Sequence, residues 1–154
     1  MTEFIVHNES EMREFAQNFA QNIVQILKQT PRLMLLLEGE MGVGKTTFVR
    51  ELAVACGSLE AASPSFAIHQ EYPLAQGVLH HIDLFRLESV EDLESTGFWE
   101  LFRQPAGIIA IEWSERLEEF GVSKQIPMTW QQQRLRFTMA SELNPTARRV
   151  LILS

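Results

Sequence analysis

Apolar residues recur along this chain in several rhythms, and each rhythm predicts an element. Phe4-Ile5-Val6 is a short apolar alternation that reads as a strand. Beyond it, Met12, Phe15, Ala16, Phe19, Ala20, Ile23 and Leu27 recur at helical period and mark one face of a helix. Asn8 and Glu11 stand at capping-box spacing ahead of that face, and Glu9 and Glu11 suit a helix's positive first turn. Pro31 closes the region. Leu33-Met34-Leu35-Leu36-Leu37 is unbroken, as expected of a strand buried on both faces of a parallel sheet.

A second helix is predicted from near Gly44, turning Phe48, Val49, Leu52 and Ala53 inward and stopping at Gly57 as a C-cap. Phe66 to Tyr72 and Val78 to Phe85 are strand-like, and the turn from Pro73 to Gly77 makes them a candidate hairpin. Val90 to Phe102 reads as helical with an interruption at Gly97. Ile108-Ile109-Ala110-Ile111 is a second short apolar run, and Leu135 to Met139 and Val150 to Leu153 give two more candidate strands. Strands and helices intermingle throughout, which predicts an α/β fold with a mixed, partly parallel sheet flanked by helices.

Composition narrows the function classes. A chain of 154 residues, 45% of them apolar, predicts a single domain over 1–154 that needs neither disulfide nor metal staple. The one thiol, Cys56, has no internal partner and points to a reducing compartment. The longest apolar run falls far short of the ~20 residues of a membrane span, and the first residues lack the pattern of a signal peptide. A cytoplasmic location without membrane contact is expected. The net charge is −7, with three lysines against twenty acidic residues, and Arg148-Arg149 is the best basic cluster. That is a poor grip on a nucleic-acid backbone.

One segment carries chemistry. Gly39-Glu40-Met41-Gly42-Val43-Gly44-Lys45-Thr46 fits G-x-x-x-x-G-K-[ST] at every required position, with an apolar strand before it and an amphipathic helix after it. Glycines let successive N–H groups turn toward phosphate oxygens, and the helix N-terminus adds positive potential. Lys45 can reach the β- and γ-phosphates, and the Thr46 hydroxyl can ligate Mg²⁺. A chance glycine-rich turn would not come with both flanking elements. The loop predicts a nucleoside triphosphate ligand on a P-loop NTPase fold.

The rest of such a site needs carboxylates. Glu112 ends the apolar run at 108–111, where the second Mg²⁺ ligand belongs, although a solvent-facing glutamate at a strand end would look the same. Trp113 beside it reads more simply as a core aromatic than as a functional group. In His80-His81-Ile82-Asp83, strand alternation puts His81 and Asp83 on one face and His80 and Ile82 on the other. One His–carboxylate pair without cysteines is too little for zinc. Asp83, one of only two aspartates, is the candidate for orienting or deprotonating the attacking water; capping the following turn is its structural alternative. Ser63-Pro64-Ser65-Phe66 is either a switch-like loop near the phosphates or an ordinary turn.

No asparagine is followed by lysine and no Asp-x-x-Gly occurs, which favours ATP over GTP. No arginine-rich insertion suggests a kinase lid. Three classes stay open: an ATPase coupled to a partner, a small-molecule kinase, and a nucleotide-regulated binding module without turnover. Arg86 and Arg116 are candidate arginine fingers, neither clearly poised, so slow turnover alone is expected.

Taken with the phosphate loop, His81-Ile82-Asp83-Leu84-Phe85-Arg86-Leu87 and Ile111-Glu112-Trp113-Ser114-Glu115-Arg116-Leu117 give the chain a wider identity. It resembles the TsaE (YjeE) family of bacterial ATPases of tRNA threonylcarbamoyladenosine synthesis, from about the first helix through Leu117. Phe85, Ser65 and Ser114 stand where the family commonly has Tyr, Thr and Pro. The resemblance implies Thr46 and Glu112 as Mg²⁺ ligands and Gly42, Val43, Gly44, Lys45, Thr46 and Thr47 as the phosphate-holding segment. It implies Asp83 for turnover and the segment around Glu9 beside the adenine. It further implies ATP and Mg²⁺ as ligands and TsaD and TsaB as protein partners. In that family their complex modifies adenosine 37 of tRNAs reading codons that begin with A, and the resemblance implies that ATP hydrolysis resets it between turnovers, with tRNA contact indirect.

Overall fold

An unbroken apolar strand has no face to offer water, and the run at 33–37 accordingly lies in the middle of a seven-stranded sheet. The computed structural model describes residues 1–58, 68–75, 77–141 and 144–153. Its elements in order are β1 (Thr2–Val6), α1 (Glu9–Gln29), β2 (Arg32–Glu38), α2 (Lys45–Ala55), β3 (His69–Pro73) and β4 (Val78–Asp83). Then come α3 (Val90–Ser95), a 3₁₀ helix (Phe98–Arg103), β5 (Gly107–Glu112), α4 (Arg116–Glu119), a short 3₁₀ turn (Ser123–Gln125), β6 (Gln131–Ser141) and β7 (Asn144–Leu153). The strands lie in the order β1-β7-β6-β2-β5-β4-β3. β2 runs parallel to both β5 and β6, and β4 parallel to β5; β1–β7, β6–β7 and β3–β4 are antiparallel. The expected mixed, partly parallel α/β sheet is what forms.

Alternation along β2 divides the interior. Leu33, Leu35 and Leu37 face a core shared with α1 and α2, while Met34 and Leu36 face a second core under α3 and the 3₁₀ helix. In the first core the ring of Phe48 on α2 stands 5.6 Å from Phe15, 5.5 Å from Phe19 and 5.5 Å from Phe137, centroid to centroid. This aromatic cluster fastens both helices to β6 and so fixes where α2 begins. In the second core the Trp130 indole N–H donates to the carbonyl of Phe102, 3.2 Å away.

The helix ends follow their local chemistry. Asn8 caps α1 by accepting the Glu11 N–H at 2.9 Å, as the spacing predicts. The Glu11 carboxylate, however, takes the N–H of His7, one residue before the cap. The interruption expected at Gly97 separates α3 from the 3₁₀ helix, with φ at +78°. The hairpin forms as β3 and β4; Phe66 and Ala67 lie outside the described residues, and β4 stops at Asp83 instead of Phe85. The two candidate strands of the tail are only the middle of β6 and the last four residues of β7, strands that are 11 and 10 residues long. Among the described residues no helix is long and apolar enough to cross a membrane.

Candidate functional site

Parallel pairing brings the carboxyl ends of β2, β4 and β5 to one edge of the sheet, where open α/β sheets bind ligands. From β2 the chain turns through residues 39–44 and enters α2 at Lys45. Gly39 has φ +138°, and a Cβ there would stand 2.4 Å from the Phe137 carbonyl oxygen, so no other residue allows the strand to leave at this angle. Gly44 caps α2 at φ +102° without a side-chain hydrogen bond, and the first turn carries no acidic residue. The opening N–H groups of α2 are thus left to an external anion. Val43 is buried in the core, so it can serve a ligand only through its backbone, whereas Gly42 and Thr46 are exposed and Thr47 half-buried.

Lys45 is 3% exposed. Its ammonium donates to the Gly39 carbonyl and lies 4.2 Å from the centroid of the Trp113 ring. Burial pushes its pKa below the ordinary lysine value, while Glu112, Glu115 and Asp83 pull it back up. A cation is thereby held at the loop's centre with carboxylates around it.

Thr46 Oγ1 stands 2.9 and 2.8 Å from the two carboxylate oxygens of Glu112. These are the two residues that the sequence offered as Mg²⁺ ligands, and the fold brings them into contact. Glu112 is buried and also receives His81 Nε2 on one oxygen. The Nδ1 of His81 is buried without a partner among the described residues. His81 thus orients Glu112, a task its position gave no sign of beyond sharing a face with Asp83. A hydroxyl and a carboxylate are the hard oxygen donors that Mg²⁺ takes, leaving the rest of its shell to water and phosphate.

Asp83 pairs in register with Glu112 across β4 and β5. Its Oδ1 accepts the Phe85 N–H at 2.9 Å, so the carboxylate does cap the following turn. It also lines a cavity of about 220 Å³ with Lys45, Thr46, Glu112, Phe85 and Trp113. Burial raises its pKa above the ordinary aspartate value, with the Phe85 N–H acting against that and the Glu112 charge adding to it. Trp113 has φ +58°, the left-handed region, which turns its ring out of the strand toward Lys45 and to 5.0 Å from Phe85. It packs against the second core and borders the cavity at once.

On the other side of the loop a cavity of about 420 Å³ is lined by Asn8, Glu9, Met12, Thr47, Thr146 and Arg148. Glu9 therefore stands beside the loop at 39–44. Thr146 and Arg148 come from β7, which sequence reasoning did not connect with the site. Arg148 Nη2 donates to the Gly42 carbonyl at 3.2 Å, whereas Arg149 pairs with Glu3 at 2.8 Å. Adjacent strand residues face opposite ways, so the best basic cluster of the sequence is no cluster in space. Of the candidate fingers, Arg116 Nη2 is engaged by the Phe85 carbonyl at 3.2 Å, and Arg86 is exposed. Ser63-Pro64-Ser65-Phe66 lies outside the described residues.

Comparison with known proteins adds a lineage to this geometry. The family model for threonylcarbamoyl adenosine biosynthesis protein TsaE matches residues 6–144. Three relatives carry the name tRNA threonylcarbamoyladenosine biosynthesis protein TsaE. That of Rickettsia felis is 36% identical over 113 residues, 72% of this chain and 61% of its own length. That of a Nostoc species is 42% identical over 87 residues, 54% of this chain and 54% of its own. That of Haemophilus influenzae is 33% identical over 117 residues, 75% of this chain and 72% of its own. The match thus spans less than two thirds of the first two relatives' lengths.

Proposed function

The chain belongs to the TsaE family, and from that premise we propose that it is a magnesium-dependent ATPase serving threonylcarbamoylation of adenosine 37 in tRNA. The observation that carries the ATPase reading is the contact of Thr46 with both oxygens of Glu112, beside a cavity that also holds Lys45 and Asp83. The polyphosphate lies along the backbone of residues 42–47, whose N–H groups and helix dipole take its charge. Lys45 adds a point charge at the β- and γ-oxygens. Thr46 Oγ1 and Glu112 would hold Mg²⁺, which would supply positive charge against the phosphates.

Hydrolysis forms a bond from the water oxygen to the γ-phosphorus and breaks the bond to the bridging oxygen, giving ADP and phosphate. Asp83 orients that water and accepts its proton as the new bond forms, with its second oxygen held by the Phe85 N–H. The adenine end takes the adjacent cavity, against Glu9 and Arg148. Arg116 is occupied by a backbone carbonyl, and among the described residues no arginine lines the cavity of Lys45 and Asp83, which supports slow turnover by the chain alone.

The same family likeness supports TsaD and TsaB as protein partners, with hydrolysis resetting their complex between turnovers. The net charge of −7 and the opposed directions of Arg148 and Arg149 favour a protein docking partner over direct tRNA binding. Phosphate release from ATP and Mg²⁺, measured with and without purified TsaD and TsaB, tests the proposal. Slow release alone and faster release with the partners is the expected result. No release in either case sinks the ATPase, and label transfer to a small metabolite would make the chain a kinase instead.

A further inference from the structure

Away from the phosphate loop, at the sheet edge formed by β3, three side chains with metal-ligating atoms share one face. Antiparallel register sets Glu71 opposite His80 and His69 opposite Ile82, so His69, Glu71 and His80 project to the same side. His69 Nε2 lies 3.0 Å from His80 Nδ1. Glu71 Oε1 lies 3.7 Å from His80 Nδ1 and 4.0 Å from His69 Nε2. A tetrahedral ion with bonds of ~2.0–2.2 Å needs its ligand atoms about 3.3–3.6 Å apart. The three separations bracket that range, and small side-chain rotations would equalise them.

The far side of His80 is prepared for this. Its Nε2 lies 2.9 Å from Gln104 Oε1, and an amide oxygen only accepts. With its proton on Nε2 toward Gln104, the His80 ring turns its Nδ1 lone pair to His69 and Glu71. A ring fixed through its outer N–H by an oxygen acceptor is how proteins hold a metal-bound histidine. His80 is buried, His69 is half-buried, and the Glu71 side chain is 62% exposed, which leaves the solvent side open to a fourth ligand.

We propose that His69, Glu71 and His80 form a site for a divalent transition-metal ion of the zinc class, with water as the fourth ligand. Two imidazoles and one carboxylate select such an ion over Mg²⁺, which takes oxygen ligands in an octahedron. The ion ties edge strand β3, which among the described residues pairs only with β4, to its neighbour, and through Gln104 to the end of the 3₁₀ helix. The site shares no residue with the nucleotide site and stands whether or not the chain hydrolyses ATP.

The test uses the full chain stripped by chelator and titrated with Zn²⁺ against a chromophoric competitor, with Mg²⁺ in excess. His69→Gln and Glu71→Gln both alter exposed or half-buried side chains, and circular dichroism confirms that each variant folds. The parent is expected to bind one equivalent more tightly than either variant, by about tenfold or more. Zn²⁺ should raise the parent's melting temperature and leave the variants' unchanged. Co²⁺ loaded in place of Zn²⁺ should show the strong visible absorption of a tetrahedral ion, lost in both variants. Equal Zn²⁺ affinity in the parent and either folded variant overturns the proposal, as does a Co²⁺ spectrum that neither substitution changes. In that event the His69–His80 contact is a hydrogen bond and nothing more.

Discussion

Thr46 and Glu112, 66 residues apart in the chain, meet with the threonine hydroxyl within 2.9 Å of both carboxylate oxygens. α2 supplies one and the end of β5 the other, so the pair depends on the helix sitting squarely on the sheet. Glu112→Gln keeps the shape and removes the charge. The Mg²⁺ concentration that half-saturates phosphate release should rise about tenfold, equivalent to roughly 1.4 kcal/mol. A Mg²⁺ titration that overlays the parent's would remove Glu112 from the metal site.

Asp83 sets function against stability. Because burial raises its folded pKa, the protonated form is the one the fold favours. Its contribution to stability is complete below the unfolded pKa and is lost as pH rises through the folded value. Ionised Asp83 is therefore a liability at neutral pH, and Asp83→Asn should melt higher than the parent there. The difference should shrink as the pH is lowered into the ordinary aspartate range. The amide oxygen still caps the Phe85 N–H, but it is a poor base. ATP binding should be kept and phosphate release should fall about 10²-fold or more. Melting curves and release rates on one preparation decide both halves.

The parent's own rate should decline on acidification at a pH above the ordinary carboxylate range, since Asp83 must be ionised to engage water. Phosphate release measured from neutral pH downward checks this, and a profile flat through that range would detach Asp83 from the chemistry.

What the sequence made legible was local. The apolar run of β2, the glycine-lysine loop and the inward face of α2 are contiguous, and Glu112 at the end of a second apolar run could be placed by analogy of position. Alternation along β4 separated His80 from His81 correctly. What stayed hidden was register. That His81 would reach Glu112 depends on β4 and β5 lying side by side, and that His80 would meet His69 depends on the pairing of β3 with β4. The full length of β6 and β7 was hidden for another reason. Gln131-Gln132-Gln133 and Asn144-Pro145-Thr146 are polar because they lie mostly on the exposed side and ends of the sheet, and polar runs carry no strand signature.

Lys45 stands among Gly39, Trp113 and three carboxylates, and the proposed function gives it the phosphates as well. Lys45→Ala removes the one side-chain cation of the loop and leaves Glu112, Glu115 and Asp83 without it. ATP affinity should fall by about tenfold or more in calorimetry. In the apo protein the loss of its charge beside Asp83 and Glu112 opposes the relief of a buried ammonium, so the melting temperature should move little beside the fall in ATP affinity. ATP affinity equal to the parent's would rule out the phosphate role, whatever the melting temperature.

The aromatic cluster behind the loop should matter more for stability than any charged residue. Phe48 is fully buried among Phe15, Phe19 and Phe137. Phe48→Ala leaves a cavity at the junction of α1, α2 and β6 and should cost about 3–5 kcal/mol in urea unfolding. A loss under about 1 kcal/mol would mean that the helices close over the gap, and that α2 is not fixed by this contact.

Arg148 offers the sharpest division between the two ends of the nucleotide. It borders the cavity next to the loop, on the side of Glu9 and Thr146, away from Lys45 and Asp83. If that cavity takes the adenine and ribose, Arg148→Ala should weaken ATP by about tenfold while inorganic triphosphate binds as before. Arg148 also donates to the Gly42 carbonyl, so its loss could disturb the loop itself. Arg148→Lys separates these effects: it keeps the charge but gives up the planar fork that can bond Gly42 and a ligand together. Calorimetry with ATP and with triphosphate on both variants reads the outcome. Weakening confined to ATP places the nucleoside in this cavity. Equal weakening of both ligands makes Arg148 a support of the loop and moves the nucleoside elsewhere.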